Sequence, residues 1–211
     1  VNDLARSLLV QPDGRIVVVG QTSPPNTGAD FALARYNADG TLDASFGNEG
    51  LVITAIGSPG APDQAMSIVR QPDGKLLVAG STAINNTDFV VVRYNENGTV
   101  DTTFGTGGVV ISSNGPALAA DIAVGIALQT DGRIVVGGHA SALVNGPLDF
   151  ALARYNSDGT LDPTFRGEER LAAREGTSFS HTVPADRFAD PDGDPLTYSA
   201  PQSDGSLLPS W

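Results

Sequence analysis

Apolar and polar positions along this chain follow the rhythm of short strands, with no helical period in any segment. Ser7-Leu8-Leu9-Val10 and Arg15-Ile16-Val17-Val18-Val19 are apolar, β-branched-rich runs on either side of Gln11-Pro12-Asp13-Gly14. Proline fixes φ in the turn range and glycine accepts positive φ, so the pattern predicts two strands joined by a tight hairpin turn. A loop is expected after Gly20, across residues 21–29. A third strand then runs from Asp30 to Tyr36, apolar at nearly every position until Arg35. Such continuity suits a strand covered on both sheet faces. Asn37-Ala38-Asp39-Gly40 forms the next turn, and Thr41-Leu42-Asp43 with Phe46-Gly47 leads into a fourth strand, Leu51–Thr54.

The same order of motifs occurs three times. Gln11-Pro12-Asp13-Gly14 returns at residues 71–74 and, with Thr130 for proline, at 129–132. Asp30-Phe31-Ala32-Leu33-Ala34-Arg35-Tyr36-Asn37 returns at 88–95 and at 149–156. A period near 60 residues with four antiparallel strands per unit predicts an all-β chain of β-propeller blades, each burying its faces against its neighbours. A β-solenoid is the competing architecture, but its rungs are shorter (roughly 20 to 30 residues) and lack such hairpins. The repeats span about 1–60, 61–118 and 119–165, followed by a charged linker at 166–170 and a different segment at 171–211. The period fails after Phe165, where a fourth strand of the last unit is missing from the pattern. Propellers usually have four to eight blades, so three leave an incomplete ring. The chain begins at Val1 without Met and reads as an excised piece, with further repeats expected upstream. The alternative is two three-blade chains sharing one ring.

The blade signatures narrow the family. There is no Trp-Asp dipeptide, which excludes WD40 repeats, and the Gly-Gly pairs 107–108 and 137–138 fall at non-equivalent positions, unlike kelch repeats. With Gln-Pro-Asp-Gly, Asp-Phe-x-x-x-Arg-Tyr-Asn and [Asp/Asn]-Gly-Thr-[Leu/Val]-Asp in register, residues 1–165 resemble the bacterial delta-60 repeat. That resemblance implies a propeller module of large secreted or surface proteins, with no established chemistry. Arg174-Glu175-Gly176 and Phe188-Ala189-Asp190-Pro191-Asp192-Gly193-Asp194-Pro195 resemble the opening of a dystroglycan-type, cadherin-like β-sandwich. Only about 40 of the ~100 residues typical of a sandwich are present.

Charge and residue usage restrict the partners. The chain carries 24 acidic and 12 basic residues, a formal net charge of −12, which argues against nucleic acid and anionic membranes. No apolar run approaches the ~20 residues of a membrane-spanning helix, and the absence of cysteine removes disulfide and thiol chemistry. Location outside a bacterial cell, secreted or on its surface, is the expectation. Protein or glycan ligands are the expected partners, along with self-association through open blade edges.

Asp190, Asp192 and Asp194 set carboxylates at alternating positions around Gly193, a pattern that supplies the oxygen ligands calcium requires. The cadherin-like resemblance adds Glu175 as a further Ca2+ ligand. An EF-hand is excluded, because Ala200 stands where the bidentate glutamate would be. Most other acids recur once per repeat (3/63/121, 13/73/131, 30/88/149, 43/101/162 and 39/158) and read as turn formers and caps for backbone amides. Arg35, Arg93 and Arg154 end each third strand, and Arg–Asp bridges to Asp43, Asp101 and Asp162 locking one blade to the next are the natural use. No Gly-x-Ser-x-Gly or phosphate-cradling motif occurs, so a non-catalytic module for adhesion, display or ligand binding is expected. A carbohydrate-binding or hydrolytic propeller with a site in its axial channel is the alternative. Its sole hint is His139, which does not recur and is expected on an exposed loop. Ligand contacts, where they exist, are expected on the variable loops 21–29, 81–87 and 139–148.

Overall fold

The computed structural model describes residues 2–23, 28–57, 60–83, 87–112, 121–141 and 148–165. The chain divides into two units, Val1–Arg170 and Leu171–Trp211, and the second lies outside the described residues. The first unit is all β, with no helix among the described residues. Its strands are β1 (Asn2–Val10), β2 (Ile16–Ser23), β3 (Asp30–Tyr36), β4 (Leu51–Thr54), β5 (Asp63–Arg70), β6 (Leu76–Ala83), β7 (Thr87–Tyr94), β8 (Val109–Ser112), β9 (Asp121–Leu128), β10 (Ile134–Ser141) and β11 (Leu148–Tyr155). They form three antiparallel sheets ordered β1-β2-β3-β4, β5-β6-β7-β8 and β9-β10-β11. These are propeller blades, and the ring they begin is not closed. A fourth strand of the third blade would fall outside the described residues.

Each hairpin turn forms as its residues dictate. Gly14 N–H donates to the Gln11 carbonyl at 2.9 Å with φ at +86°, and Asp13 Oδ1 accepts from the Arg15 amide at 3.1 Å. The equivalent carboxylates of Asp73 and Asp131 accept from the amides of Lys75 and Arg133. The recurring acids Asp13, Asp73 and Asp131 are thus turn formers, as their periodicity predicted.

Two sequence expectations are corrected. The second strands do not stop at Gly20, Gly80 and Gly138 but continue through Ser23, Ala83 and Ser141. Opposite each glycine the first strand has a bulge, skipping Arg6, Met66 and Val124, and a backbone carbonyl (Leu4, Gln64 or Ile122) sits where a Cβ would be. Glycine there permits close backbone approach inside a strand instead of ending it. The third strands are also not uniformly covered. β7 is buried on both faces, whereas β3 alternates buried and half-buried positions because its sheet is packed on one side.

The core lies between the blades. One cluster joins Val17, Val19, Phe31, Leu33 and Phe46 of the first blade to Leu76, Val78, Val90, Val92 and Tyr94 of the second. The other joins Leu77, Phe89, Val91 and Phe104 of the second to Ile134, Val136, Ala151, Ala153 and Tyr155 of the third. Because strand side chains alternate, every blade has a phenylalanine face and a tyrosine face. Both junctions set the phenylalanine face of one blade against the tyrosine face of the next.

Candidate functional site

Each third strand ends in an arginine aimed along the blade interface, and these arginines build the most polar part of the junction. Arg35 is 2% exposed, and its Nε donates to Asp43 Oδ2 at 2.8 Å. Its Nη2 donates to Ser45 Oγ at 3.1 Å, and its guanidinium stacks 4.5 Å from the centre of the Phe46 ring. The remaining Nη1 crosses to the next blade and donates to the Glu96 carbonyl at 2.6 Å. The second station repeats this arrangement. Arg93 donates to Asp101 at 2.8 Å and Thr103 at 3.2 Å, lies over Phe104, and crosses to the Ser157 carbonyl at 2.7 Å.

The Arg–Asp pairs anticipated from the sequence are present, yet the carboxylate belongs to the arginine's own blade. What crosses the junction is the free end of the guanidinium, seeking a backbone carbonyl. A planar fork can satisfy both demands at once, which an ammonium cannot. Beside it, the Gly47 amide donates to the Asn97 carbonyl and the Gly105 amide to the Asp158 carbonyl, both at 2.8 Å. The turn of each incoming blade therefore enters as a knob, with Gly98 or Gly159 pressed on the phenylalanine ring of the blade before it.

The aspartates of these stations are held below the usual carboxylate range. For Asp43 the Ser45 hydroxyl is the main cause, supported by the Ser45 amide, Arg15 and Arg35 against the effect of burial. For Asp101 burial pushes upward, but the Thr103 hydroxyl and amide, Lys75 and Arg93 outweigh it. Asp162 sits at about 2, chiefly through the Thr164 hydroxyl and amide. Each carboxylate thus stays ionised and fully engaged. Arg15, Lys75 and Arg133 supply a second cation at each station, 3.1 to 3.4 Å from the shared carboxylate. The Arg or Lys directly after Gly14, Gly74 and Gly132 of the first hairpin turn was the signal for that second cation. The phenylalanine's role under the guanidinium had no comparable sequence signal.

A second recurring use of carboxylates lies at the start of the first strands. Asp63 accepts from the Ile56 amide at 2.7 Å, the Gly57 amide at 3.2 Å and the Thr82 hydroxyl, fastening the segment that arrives from the first blade. Asp3 accepts from Thr22 at 2.6 Å in the same manner.

His139 is on β10, half-buried and paired with Ile122 and Phe150, not on an exposed loop, because β10 continues past Gly138. Residues 21–23, 81–83, 87, 139–141 and 148 of the variable segments likewise belong to strands. The calcium candidates Glu175, Asp190, Asp192 and Asp194 lie outside the described residues. Among the described residues, no group of three or more His, Asp or Glu side chains is placed to hold a metal ion.

Repeated four-stranded blades joined by these stations define a β-propeller repeat protein. A family model described as a β-propeller domain of unknown function (DUF5122) matches at residues 11–46, 71–104 and 129–165, just over half of the chain, and the chain belongs to that family. Each match begins at the glutamine of the hairpin turn and closes on or beside the station phenylalanine, so the family pattern coincides with the parts that join blade to blade. No curated protein matches the chain.

Proposed function

We propose that this chain is a non-catalytic recognition scaffold acting outside a bacterial cell, whose blades are a rigid frame for the loops between their second and third strands. The observation that carries this reading is the deployment of the buried ionic groups. Arg35 and Arg93 are consumed in joining blades, Asp43 and Asp101 in holding those arginines within their own blade, and the same set recurs from the first blade to the second. A reaction centre is singular and keeps a titratable group poised for proton transfer, whereas these carboxylates are pinned in their charged form. Net charge and the delta-60 resemblance support the location, and the loops that differ most between repeats support protein or glycan ligands. A glycan array, run beside hydrolysis assays on generic polysaccharides, tests the reading. Retention of a glycan without turnover is the expected result, and hydrolysis that survives purification would overturn it. Calcium binding through Glu175, Asp190, Asp192 and Asp194 is a separate reading carried by their spacing. A rise in thermal midpoint with calcium that a chelator reverses supports it, and an unchanged midpoint removes it.

A further inference from the structure

We propose that Asn97-Gly98 is a self-modification site, where the chain converts Asn97 to aspartate or isoaspartate at a rate set by the junction between the first and second blades. Asn97 departs from the repeat, since Asp39 and Asp158 hold its position in the other two turns. In all three turns the side-chain Oδ1 accepts from both the amide and the hydroxyl of the threonine two residues on. The distances are 3.0 and 2.7 Å at Thr41, 3.1 and 2.8 Å at Thr99, and 2.9 and 2.7 Å at Thr160. The turn asks for an acceptor oxygen, which a carboxylate supplies as well as an amide does. Asp39 and Asp158 are held below the usual carboxylate range by the hydroxyl and amide of Thr41 and Thr160, so the turn favours the charged product.

Glycine after the asparagine leaves the attacking nitrogen without a neighbouring side chain. Gly98 N attacks Asn97 Cγ, its proton departs with the side-chain amide as ammonia, and a cyclic succinimide forms. Water then opens the ring. Cleavage of the bond to Cγ gives aspartate in an unaltered chain, which restores the Asp-Gly-Thr of residues 39–41 and 158–160. Cleavage at the backbone carbonyl gives isoaspartate, and the knob's backbone then runs through Cγ, longer by a carbon atom. Folding restrains the reacting groups. Gly98 N–H donates to the Asn95 carbonyl at 2.9 Å, and the Asn97 carbonyl accepts from Gly47 N–H at 2.8 Å. Beside them the Glu96 carbonyl accepts from Arg35 at 2.6 Å. Gly98 is buried against the Phe46 ring, so the turn cannot reshape while the junction is shut. Reaction waits for local opening, and the open population scales the rate.

Those three hydrogen bonds, each worth several-fold in an equilibrium, set the rate at Asn97 about 100-fold lower in the folded chain than in urea. Peptide mapping by mass spectrometry follows the conversion, and an isoaspartyl methyltransferase counts the isoaspartate. The same dipeptide at Asn114 and Asn145 lies outside the described residues, and the map separates all three. Phe46→Leu, beneath Gly98, and Phe104→Leu, beneath Gly159 at the second junction, form a matched pair. Phe46→Leu is expected to speed conversion in the folded chain several-fold, and Phe104→Leu to leave it unchanged. Circular dichroism verifies that both variants keep their β structure, and the comparison of folded with unfolded wild type needs neither. Asn97→Asp is expected to match or exceed the urea midpoint of the wild type. Equal rates in the folded and unfolded wild type, or equal acceleration by the two leucine variants, would overturn the proposal. So would an Asn97→Asp chain that unfolds earlier, or conversion below detection in both the folded wild type and Phe46→Leu.

Discussion

Gly40 and Gly98 occupy the same turn position in consecutive blades with nearly the same backbone, φ +86° and +88°. An alanine at either site meets the same left-handed strain, roughly 1–2 kcal/mol, partly offset by a less disordered unfolded chain. Their surroundings differ. At Gly98 a Cβ lies 2.9 Å from Phe46 Cε2 and 2.9 Å from Val52 Cγ2, while at Gly40 it lies in open space. Carbon atoms pack at ~3.5–4.0 Å, so the incoming turn must retreat by most of an ångström. That retreat stretches the 2.8 Å bond from Gly47 N–H to the Asn97 carbonyl and the 2.6 Å bond from Arg35 to the Glu96 carbonyl. Overpacking of this kind costs about 1–3 kcal/mol beyond the strain. Urea unfolding followed by circular dichroism, with the two substitutions compared in otherwise identical chains, isolates the difference. With a slope of about 2 kcal/mol per molar, Gly98→Ala should unfold roughly 1 M earlier than Gly40→Ala. Coincident midpoints would refute the tight seating of the knob.

Arg93→Lys keeps the charge but cannot hold Asp101 and the Ser157 carbonyl together, and a loss of about 2 kcal/mol in urea unfolding is expected. A variant as stable as the wild type would show that the fork is dispensable. Stability should also fall in acid. Asp43, Asp101 and Asp162 bind protons less readily folded than unfolded, so the unfolded chain takes up more protons as pH drops. Their contribution is complete above the unfolded value near pH 3.9 and is lost on the way down to the folded values, about 2 for Asp162. Asp30, raised by burial and by Asp63, works in the opposite sense. Urea midpoints that stay level between about pH 6 and about pH 3 would contradict this account.

Local chemistry wrote much of this architecture into the chain. Proline and glycine at fixed offsets set the turns, β-branched runs set the strands, and recurrence at about 60 residues set the number of blades. Even the Arg35–Asp43 pairing was legible, since both residues recur eight positions apart in every copy. What required the tertiary structure was everything decided by a neighbour. Gly20 looks like the end of a strand but marks a bulge, because the carbonyl that excludes a side chain there comes from the strand beside it. Arg35 looks like one half of an ion pair, yet its third partner is a backbone carbonyl of the next blade, invisible to any side-chain pattern. The identical octapeptides of the first and third repeats have opposite faces buried. Burial belongs to pairs of surfaces, and a sequence specifies each surface without saying which other surface it meets.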